Sequence, residues 1–378
     1  MSKMLSAQKA LRFVKIYGVG RTFFKSAGRL RLGLPLVSFR RPTQDIGVVG
    51  CGQFAFATIG YYLWRSFGNR ILTCYDVHGK NQLSFAHAMR VPVPATSVAC
   101  LLDQPGLRLV YIASNHSSHG FYAVEAIRRG IDVYIEKPIV VNYAQLLDLL
   151  RAVRSSSARV FAGYNRPFSP AVNYLRRTIR IEAASGFSLQ CFVSGHRLSP
   201  DHWYRRPEEG TRICGNVGHW LDLMVHILSW RGLPDRLGIS LTWADDREPD
   251  DNLIISIQTD RGDLVSIMLT SRCEPFEGIN ETINLQHADT ICKIDDFRSL
   301  TIWQGRILRR RRFWPKDVGH RLAILQPFEG GGHRDWQEVV SSTLLMLYIT
   351  EMVRSKVSKG EFSFQAAAAK LRTELGER

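Results

Sequence analysis

The chain has 378 residues, of which 45% are hydrophobic and 22% charged, and this composition excludes a disordered or fibrous protein. The length predicts two domains, or three at most. Lys and Arg number 50 against 34 Asp and Glu, and none of the acidic residues but ten of the basic ones fall in residues 1–44.

The basic N-terminal segment, residues 1–44, predicts one short amphipathic helix and no domain of its own. Apolar residues recur at spacings of three and four from Met4 to Tyr17, including Leu11, until Gly18 interrupts the pattern. Its charges are incompatible with a secretory signal, so we expect a cytoplasmic protein. The segment suits weak contact with an anionic membrane surface or with a second subunit of a homo-oligomer. No nucleic-acid motif accompanies the charge, so we expect no nucleic-acid partner.

The seven cysteines predict neither disulfides nor a metal site. Their number is odd, and no CxxC pair or other metal-ligand spacing occurs. We therefore expect reduced and mostly buried thiols.

Residues 45–165 predict a domain built on a parallel sheet. Short apolar runs alternate with helical patterns, as in consecutive strand–helix–strand units. The predicted strands are Ile46–Val49, Ile71–Tyr75, Leu109–Ala113, Val133–Ile135 and Val160–Ala162. The predicted helices lie near residues 53–66, 80–89, 117–129 and 142–154.

Residues 166–378 predict an α+β domain with a mostly antiparallel sheet. Helices are expected near residues 170–180 and 216–230. A turn-forming cluster at residues 260–263 then separates two β-rich runs and predicts a hairpin of Ile254–Thr259 with Leu264–Thr270. Helical periodicity returns in 334–356, and one more helix is expected from Glu361 to the end of the chain.

A glycine-rich fingerprint follows the first predicted strand. Gly50 permits a tight turn, Gly52 lets a pyrophosphate approach the backbone, and Ala55 lets the next helix pack closely on the strand. Asp76 ends the second strand, where a carboxylate accepts ribose hydroxyls and repels a 2′-phosphate. The pattern predicts a dinucleotide site that favours NAD over NADP.

Two further polar groups follow later strands of the same sheet. The loop that begins with Ser114 and Asn115 and includes His119 comes after the strand at residues 109–113, where ligands sit in open parallel sheets. Glu136 and Lys137 precede a proline where the next strand ends. Helix capping also explains Ser114 and Asn115. A surface ion pair also explains Glu136 and Lys137.

Together these motifs resemble the glucose-fructose oxidoreductase/inositol dehydrogenase/MocA family, and the resemblance extends from about Asp45 to Lys356. It implies a Rossmann dinucleotide-binding domain followed by an open-faced sheet domain, with substrate between the two. It also implies that Lys137 lies near the nicotinamide and the substrate hydroxyl. An ammonium in that position favours the alkoxide-like form of the substrate and relays a proton.

A second family-like signature spans residues 210–222. His219 and Asp222 match its His-x-x-Asp pattern, which places an imidazole one helical turn from a carboxylate. Inositol dehydrogenase-like members carry an Asp four residues before this His, whereas this chain has Gly215 there. We therefore predict that Lys137 and His219 together handle the proton of the substrate hydroxyl.

The predicted site residues form three groups. The catalytic candidates are Lys137, His219 and Asp222. The cofactor-binding candidates are Gly50, Gly52, Gln53, Phe54, Asp76, Ser114, Asn115, His119, Glu136, Lys137 and Asn165. The substrate-binding candidates are Lys137, Arg166, Trp203, Arg212, Asn216 and His219.

The resemblance predicts an NAD-dependent oxidoreductase that acts on a secondary alcohol of a sugar, nucleotide-sugar or cyclitol. The basic segment and the arginine patch formed by Arg306 and Arg309–Arg312 favour a nucleotide-sugar or another phosphorylated sugar. Two alternatives stay open: an NAD-dependent glycosidase-like hydrolase, which consumes no cofactor, and a dinucleotide-binding sensor or assembly protein that performs no chemistry.

Overall fold

A computed structural model describes residues 2–40, 42–274, 278–330 and 333–376 of the chain, with side chains from residue 8 onward. It divides into two compact units. The parallel-sheet unit comprises Phe13–Gly163 and His320–Arg334, and the mixed-sheet unit comprises Met1–Arg12, Tyr164–Gly319 and Asp335–Arg378. The sequence predicts domain boundaries at residues 45 and 166. That these residues bound separately folding domains stays a prediction.

The parallel-sheet unit contains six parallel strands in the order β3-β2-β1-β4-β5-β6. The strands are β1 (Ile46–Val49), β2 (Ile71–Tyr75), β3 (Val93–Pro94), β4 (Leu109–Ile112), β5 (Asp132–Ile135) and β6 (Val160–Ala162). Every residue of β1 and β4 is buried, as expected for strands covered on both faces. The predicted parallel sheet is confirmed.

Helices connect these strands, and one long helix precedes them. They are α1 (Ser2–Leu30), a π-helical turn (Ala55–Gly60) that continues into α2 (Tyr61–Phe67), α3 (Gly79–Met89), α4 (Val98–Leu102), α5 (His116–Arg128) and α6 (Tyr143–Arg154). The sequence prediction missed β3 and α4. With two and five residues, they are too short to show a period.

The predicted interruption of the N-terminal helix at Gly18 is confirmed, whereas the predicted buried face was wrong. Two helical segments, which together form α1, meet at Gly18, where the backbone leaves helical geometry at φ 78°, and the second segment ends at Leu30. Leu11 is 64% exposed, whereas Phe13 and Phe24 are buried. The ring of Phe24 lies 5.1 Å from that of Tyr61, so the docking of α1 on α2 selects the buried stripe. The predicted contacts of Met4 and Ala7 lie outside the described side chains.

The mixed-sheet unit is built on nine strands in the order β14-β13-β12-β11-β7-β10-β9-β8-β15. Within the part of this unit that the structure describes, β7–β10 is the one parallel pair. The strands are β7 (Phe187–Ser194), β8 (Arg236–Trp243), β9 (Leu253–Thr259), β10 (Leu264–Thr270), β11 (Asn280–His287), β12 (Thr290–Asp295), β13 (Ser299–Gln304), β14 (Ile307–Arg312) and β15 (Lys359–Ser363). The mostly antiparallel sheet and the β9–β10 hairpin are confirmed.

Buried and exposed residues alternate along β7, β8 and β9, because one face of this sheet carries the core and the other is open. The helices of this unit and its neighbour are α7 (Pro170–Thr178), a π-helical turn (Ile213–Val217) that continues into α8 (Gly218–Ser229), α9 (His320–Leu325), α10 (Trp336–Arg354) and α11 (Phe364–Glu374). Single 3-10 turns occur at Arg166–Phe168, Trp203–Arg205, Pro207–Glu209 and Gln326–Phe328. Strand β15 was not predicted, since its place is set by pairing with the distant β8.

Two sequence expectations concern the whole chain. Five of the seven cysteines are buried, which confirms that most of the thiols lie inside the protein. None of the helices in the described ranges has the length and apolar character that crossing a bilayer requires.

Candidate active site

The glycine-rich turn after β1 has the geometry that its sequence predicts. Gly50 adopts φ +88°, and a Cβ there would lie 2.5 Å from the carbonyl oxygen of Ala113. A Cβ on Gly52 would meet none of the described atoms within 4 Å, so the turn is open on that side. Helical backbone begins at residue 53, and Ala55 is fully buried beneath it. The turn therefore fits a pyrophosphate, which helix N-termini bind well.

Asp76 lies directly beside this turn. Its carboxylate accepts hydrogen bonds from the backbone N–H of Cys51 at 2.7 Å and from that of His78 at 2.7 Å. The first of these bonds ties the end of β2 to the glycine-rich turn after β1. The carboxylate is thus held in the position where Rossmann folds place the acceptor for ribose hydroxyls.

We expect Asp76→Ala to raise the Kd for NADH about tenfold and to leave the Kd for NADPH unchanged or lower. Each lost charge-assisted hydrogen bond to a ribose hydroxyl contributes about 1.5 kcal/mol or more, and the carboxylate repels a 2′-phosphate. Calorimetric titration measures both constants, and Asp103→Ala, at an exposed carboxylate of the same unit, is the control. An equal loss for the two cofactors would contradict the ribose role.

His119 joins the two loops that follow β4 and β5. This buried side chain lies 2.7 Å from the carbonyl oxygen of Pro138 through Nδ1 and 3.1 Å from that of Ser114 through Nε2. Ser114 and Asn115 bond within their own loop, to Ser118 and Ser117. These three predicted cofactor residues therefore set the shape of the loop at the carboxyl end of β4.

Glu136 anchors the segment that carries Lys137. Glu136 is buried, and its carboxylate accepts hydrogen bonds from the Tyr134 hydroxyl at 3.0 Å and from the Lys137 backbone N–H at 3.1 Å. A Cβ on Gly163 would lie 2.9 Å from Cα of Glu136, so the glycine permits this close packing. Burial raises the pKa of Tyr134, with the neighbouring Glu136 carboxylate adding to the effect, so its hydroxyl stays a donor. Lys137, the next residue along the chain, is half-buried.

Sequence reasoning missed Tyr134, although a tyrosine two residues before the glutamate on the same strand is visible in the sequence. It also predicted that Gln53 and Phe54 bind the cofactor. The Gln53 amide instead donates to the carbonyl oxygen of Lys25 at 2.9 Å, and the Phe54 ring contacts that of His320 at 5.6 Å. Both side chains thus help to build the unit, and their predicted cofactor contacts stay predictions.

His219 and Asp222 lie on α8 in the mixed-sheet unit, and both are buried. Ser342 of α10 donates to the Asp222 carboxylate at 3.0 Å. A Cβ on Gly218 would lie 2.8 Å from Sδ of Met346, so α8 and α10 can approach this closely only at a glycine. The catalytic roles of both residues stay predictions.

Arg212 lies in the interior of the mixed-sheet unit. Its side chain is 1% exposed and donates to Asp251 at 2.9 Å, to the carbonyl oxygen of His196 at 2.9 Å and to Asn216 at 3.3 Å. Asp251 belongs to a group of three carboxylates, with Glu248 and Asp250, and Arg205 pairs with two of them. These contacts give Arg212 a structural role, and they hold Asn216 at the π-helical turn before α8.

Arg166 also points inward. Its guanidinium pairs with Glu281 at 3.0 and 3.2 Å, with both side chains at most 5% exposed, and it donates to Asn165 at 3.0 Å. Trp220 donates its indole N–H to the same glutamate at 2.8 Å. The Asn165 amide donates to the carbonyl oxygen of Val318 at 2.7 Å. The geometry thus gives both predicted ligand residues a structural role.

Trp203 belongs to an aromatic cluster of the mixed-sheet unit. Its ring stacks on that of His202 at 5.9 Å and meets that of Tyr204 edge-on at 4.4 Å. All three residues are half-buried. Burial, followed by nearby positive charges, lowers the pKa of His202, so its ring is neutral at pH 7. Of the predicted substrate residues in this unit, Trp203 is the most exposed.

The structure brings one group of predicted residues together within the parallel-sheet unit. They follow β1, β2, β4 and β5 at the carboxyl ends of adjacent strands: Gly50, Gly52, Asp76, Ser114, Asn115, His119, Glu136 and Lys137. In open parallel sheets ligands bind outside this edge. The group has the parts needed to hold a dinucleotide and to place one ammonium beside it.

Known proteins resemble this chain in its dinucleotide-binding segment and in its fold. Residues 45–164 match the family model described as "Oxidoreductase family, NAD-binding Rossmann fold". The chain is 30% identical over 120 residues to "Oxidoreductase P35" of Formosa agariphila, which covers 32% of this chain and 37% of that protein. It is 28% identical over 128 residues to inositol 2-dehydrogenase of Gluconacetobacter diazotrophicus, which covers 33% and 38%.

The match with these two curated relatives thus covers less than half of their length. Among solved structures, the fold resembles that of the WlbA dehydrogenase from Bordetella pertussis in complex with NADH and UDP-GlcNAcA. The TM-score is 0.67 at 17% identity, over 85% of this chain and 99% of that one. Residues 45–164 of the chain are thus similar to the NAD-binding Rossmann segment of the glucose-fructose oxidoreductase/inositol dehydrogenase/MocA family of oxidoreductases.

Proposed function

We propose that this protein is an NAD-dependent oxidoreductase that transfers hydride between a secondary alcohol carbon and nicotinamide. The observation that carries the proposal is the position of Lys137, which follows β5 at the same sheet edge as the open glycine-rich turn and Asp76. A dinucleotide supplies the hydride acceptor when it is bound. The chain must supply binding, orientation and a group that moves the proton.

Cofactor binding is assigned to the turn and to Asp76. The open side of Gly52 receives the pyrophosphate, and the Asp76 carboxylate accepts the ribose hydroxyls. This carboxylate favours NAD over NADP. The loop held by His119 borders the same edge.

Proton movement is assigned to Lys137, with His219 as the second participant. When the substrate carbon is reduced, the Lys137 ammonium donates its proton to the carbonyl oxygen, and in the reverse direction the neutral Lys137 amine accepts the hydroxyl proton. Glu136 fixes the backbone of Lys137, and buried Tyr134 in turn holds Glu136. His219 is the second group assigned to proton exchange, and Asp222 is the residue that orients it.

The substrate class is a sugar, cyclitol or nucleotide-sugar. An inositol 2-dehydrogenase among the relatives and a UDP-sugar complex among the solved structures support this choice. The aromatic cluster of Trp203 offers ring surface on which the apolar face of a sugar can pack. That this substrate carries a phosphate stays a prediction.

The test is to titrate the purified protein with NADH and NADPH and then to follow nicotinamide absorbance with a panel of sugars, cyclitols and nucleotide-sugars. Redox turnover of one class supports the proposal and identifies the substrate. NADH binding with glycoside cleavage but no net redox change would replace it with the glycosidase-like hydrolase. Binding without any reaction would favour the sensor, and no dinucleotide binding would overturn all three. Homo-oligomerisation and a cytoplasmic location stay predictions.

A further inference from the structure

The N-terminal extension reaches the glycine-rich turn. Nη1 of Arg31 donates to the carbonyl oxygen of Cys51 at 3.0 Å, and the N–H of the same cysteine donates to Asp76 at 2.7 Å. Cys51 lies between Gly50 and Gly52, the two glycines of the fingerprint. A guanidinium from outside the matched family segment, residues 45–164, is therefore attached to the turn that receives the cofactor.

The end of α1 is fitted closely to this turn. Gln53, the first helical residue after the turn, donates its amide to the carbonyl oxygen of Lys25 at 2.9 Å. A Cβ on Gly28 would lie 3.0 Å both from Oε1 of Gln53 and from Cδ1 of Phe56. The absence of a side chain on Gly28 lets the helix come this near. Arg31 is consequently held beside the turn by the packing of α1 against the helical segment that follows the turn.

The backbone of Arg31 is in the left-handed region, at φ 53°. The N–H of Leu32 donates to the carbonyl oxygen of Ala27 at 2.9 Å and closes the helix, so Arg31 occupies the position that usually holds glycine. Here the side chain that glycine would lack is the one that contacts the turn.

We propose that Arg31 is a cofactor-binding residue that contacts a phosphate of the adenosine half of the dinucleotide. The inference rests on the proposed function. A guanidinium has five donors in a planar fork that matches phosphate oxygens, and the Cys51 carbonyl takes one of them. The pyrophosphate and a 2′-phosphate present the same chemistry. Because Arg31 and Asp76 bind the same residue, the cation offsets part of the repulsion between Asp76 and a 2′-phosphate.

The test compares Arg31→Gly with Arg90→Gly. Glycine removes the guanidinium but suits the left-handed backbone, so the helix end keeps its conformation. Arg90 is the matched control, because it caps α3 at the same φ of 53° with an exposed side chain. Calorimetric titration of each full-length variant with NADH and NADPH measures binding, and thermal unfolding measures the fold.

We expect Arg31→Gly to raise the Kd for NADH, NADPH or both by about tenfold or more, with Tm unchanged or higher. A larger loss for NADPH assigns Arg31 to the 2′-phosphate, and an equal loss assigns it to the pyrophosphate. Arg31→Lys should recover part of the affinity. Arg31→Gly constants equal to those of wild type and Arg90→Gly would overturn the inference. A wild-type protein that binds neither dinucleotide would instead overturn the proposed function.

Discussion

Replacing Lys137 with methionine is expected to lower kcat by at least about a hundredfold while leaving the Kd for NADH within about twofold of wild type. Methionine keeps the length and most of the apolar stem of the lysine, so the substitution removes the ammonium with little change in packing. The hydrogen bond from the backbone N–H of residue 137 to the Glu136 carboxylate is retained. The loss should therefore fall on the chemical step and not on the cofactor.

A second variant, Lys137→Arg, separates charge from proton transfer. Arginine keeps a cation beside the reacting oxygen, but its pKa is too high for it to release a proton near neutral pH. If Lys137 relays the proton, the arginine variant should be nearly as slow as the methionine variant. Recovery of most of the activity in Lys137→Arg would assign an electrostatic role alone. A wild-type kcat in Lys137→Met would remove this residue from the mechanism.

Arg166→Met is expected to destabilise the mixed-sheet unit by about 3–5 kcal/mol, since it leaves the Glu281 carboxylate buried without its cation. Trp220 still donates one hydrogen bond to that carboxylate, but a single neutral donor does not compensate the charge. Urea unfolding followed by circular dichroism measures the loss. The double variant Arg166→Met/Glu281→Gln should lose less than the sum of the two single variants by at least about 1 kcal/mol.

The control pair is Arg151 with Asp148, whose side chains are both more than half exposed. Asp148→Asn should cost less than about 1 kcal/mol, because exposed ion pairs are screened by water. Unfolding together with steady-state kinetics of Arg166→Met decides between the two roles considered for Arg166. A raised KM for the substrate with unchanged stability would support the sequence-based assignment as a substrate ligand and reject the structural one.

The prediction of the parallel sheet succeeded because each of its main strands is a continuous apolar run between turn residues. For β1, β2 and β6 the predicted and observed bounds coincide. Strands β3 and β15 were not predictable in this way. Their residues carry little pattern of their own, and their pairing depends on β2 and β8, which lie elsewhere in the chain.

The site residues also divide into those that could be predicted from the sequence and those that could not. Gly50, Gly52 and Asp76 could be found from the sequence, because a tight turn and a ribose acceptor need those residue types at those positions. Arg166 could not be placed, because its ion-pair partner Glu281 lies 115 residues further along the chain. Arg31 was seen only as part of a basic segment.

The sequence alone determined the fold class, the position of the dinucleotide fingerprint and the location of Lys137 at the end of a strand. These features depend on local backbone requirements and on short-range hydrophobic patterns. Only the tertiary structure decided which face of α1 is buried and which arginines point inward. Those outcomes depend on which side chains meet across the fold, as when Tyr61 packs on Phe24 or the Cys51 carbonyl accepts a hydrogen bond from Arg31.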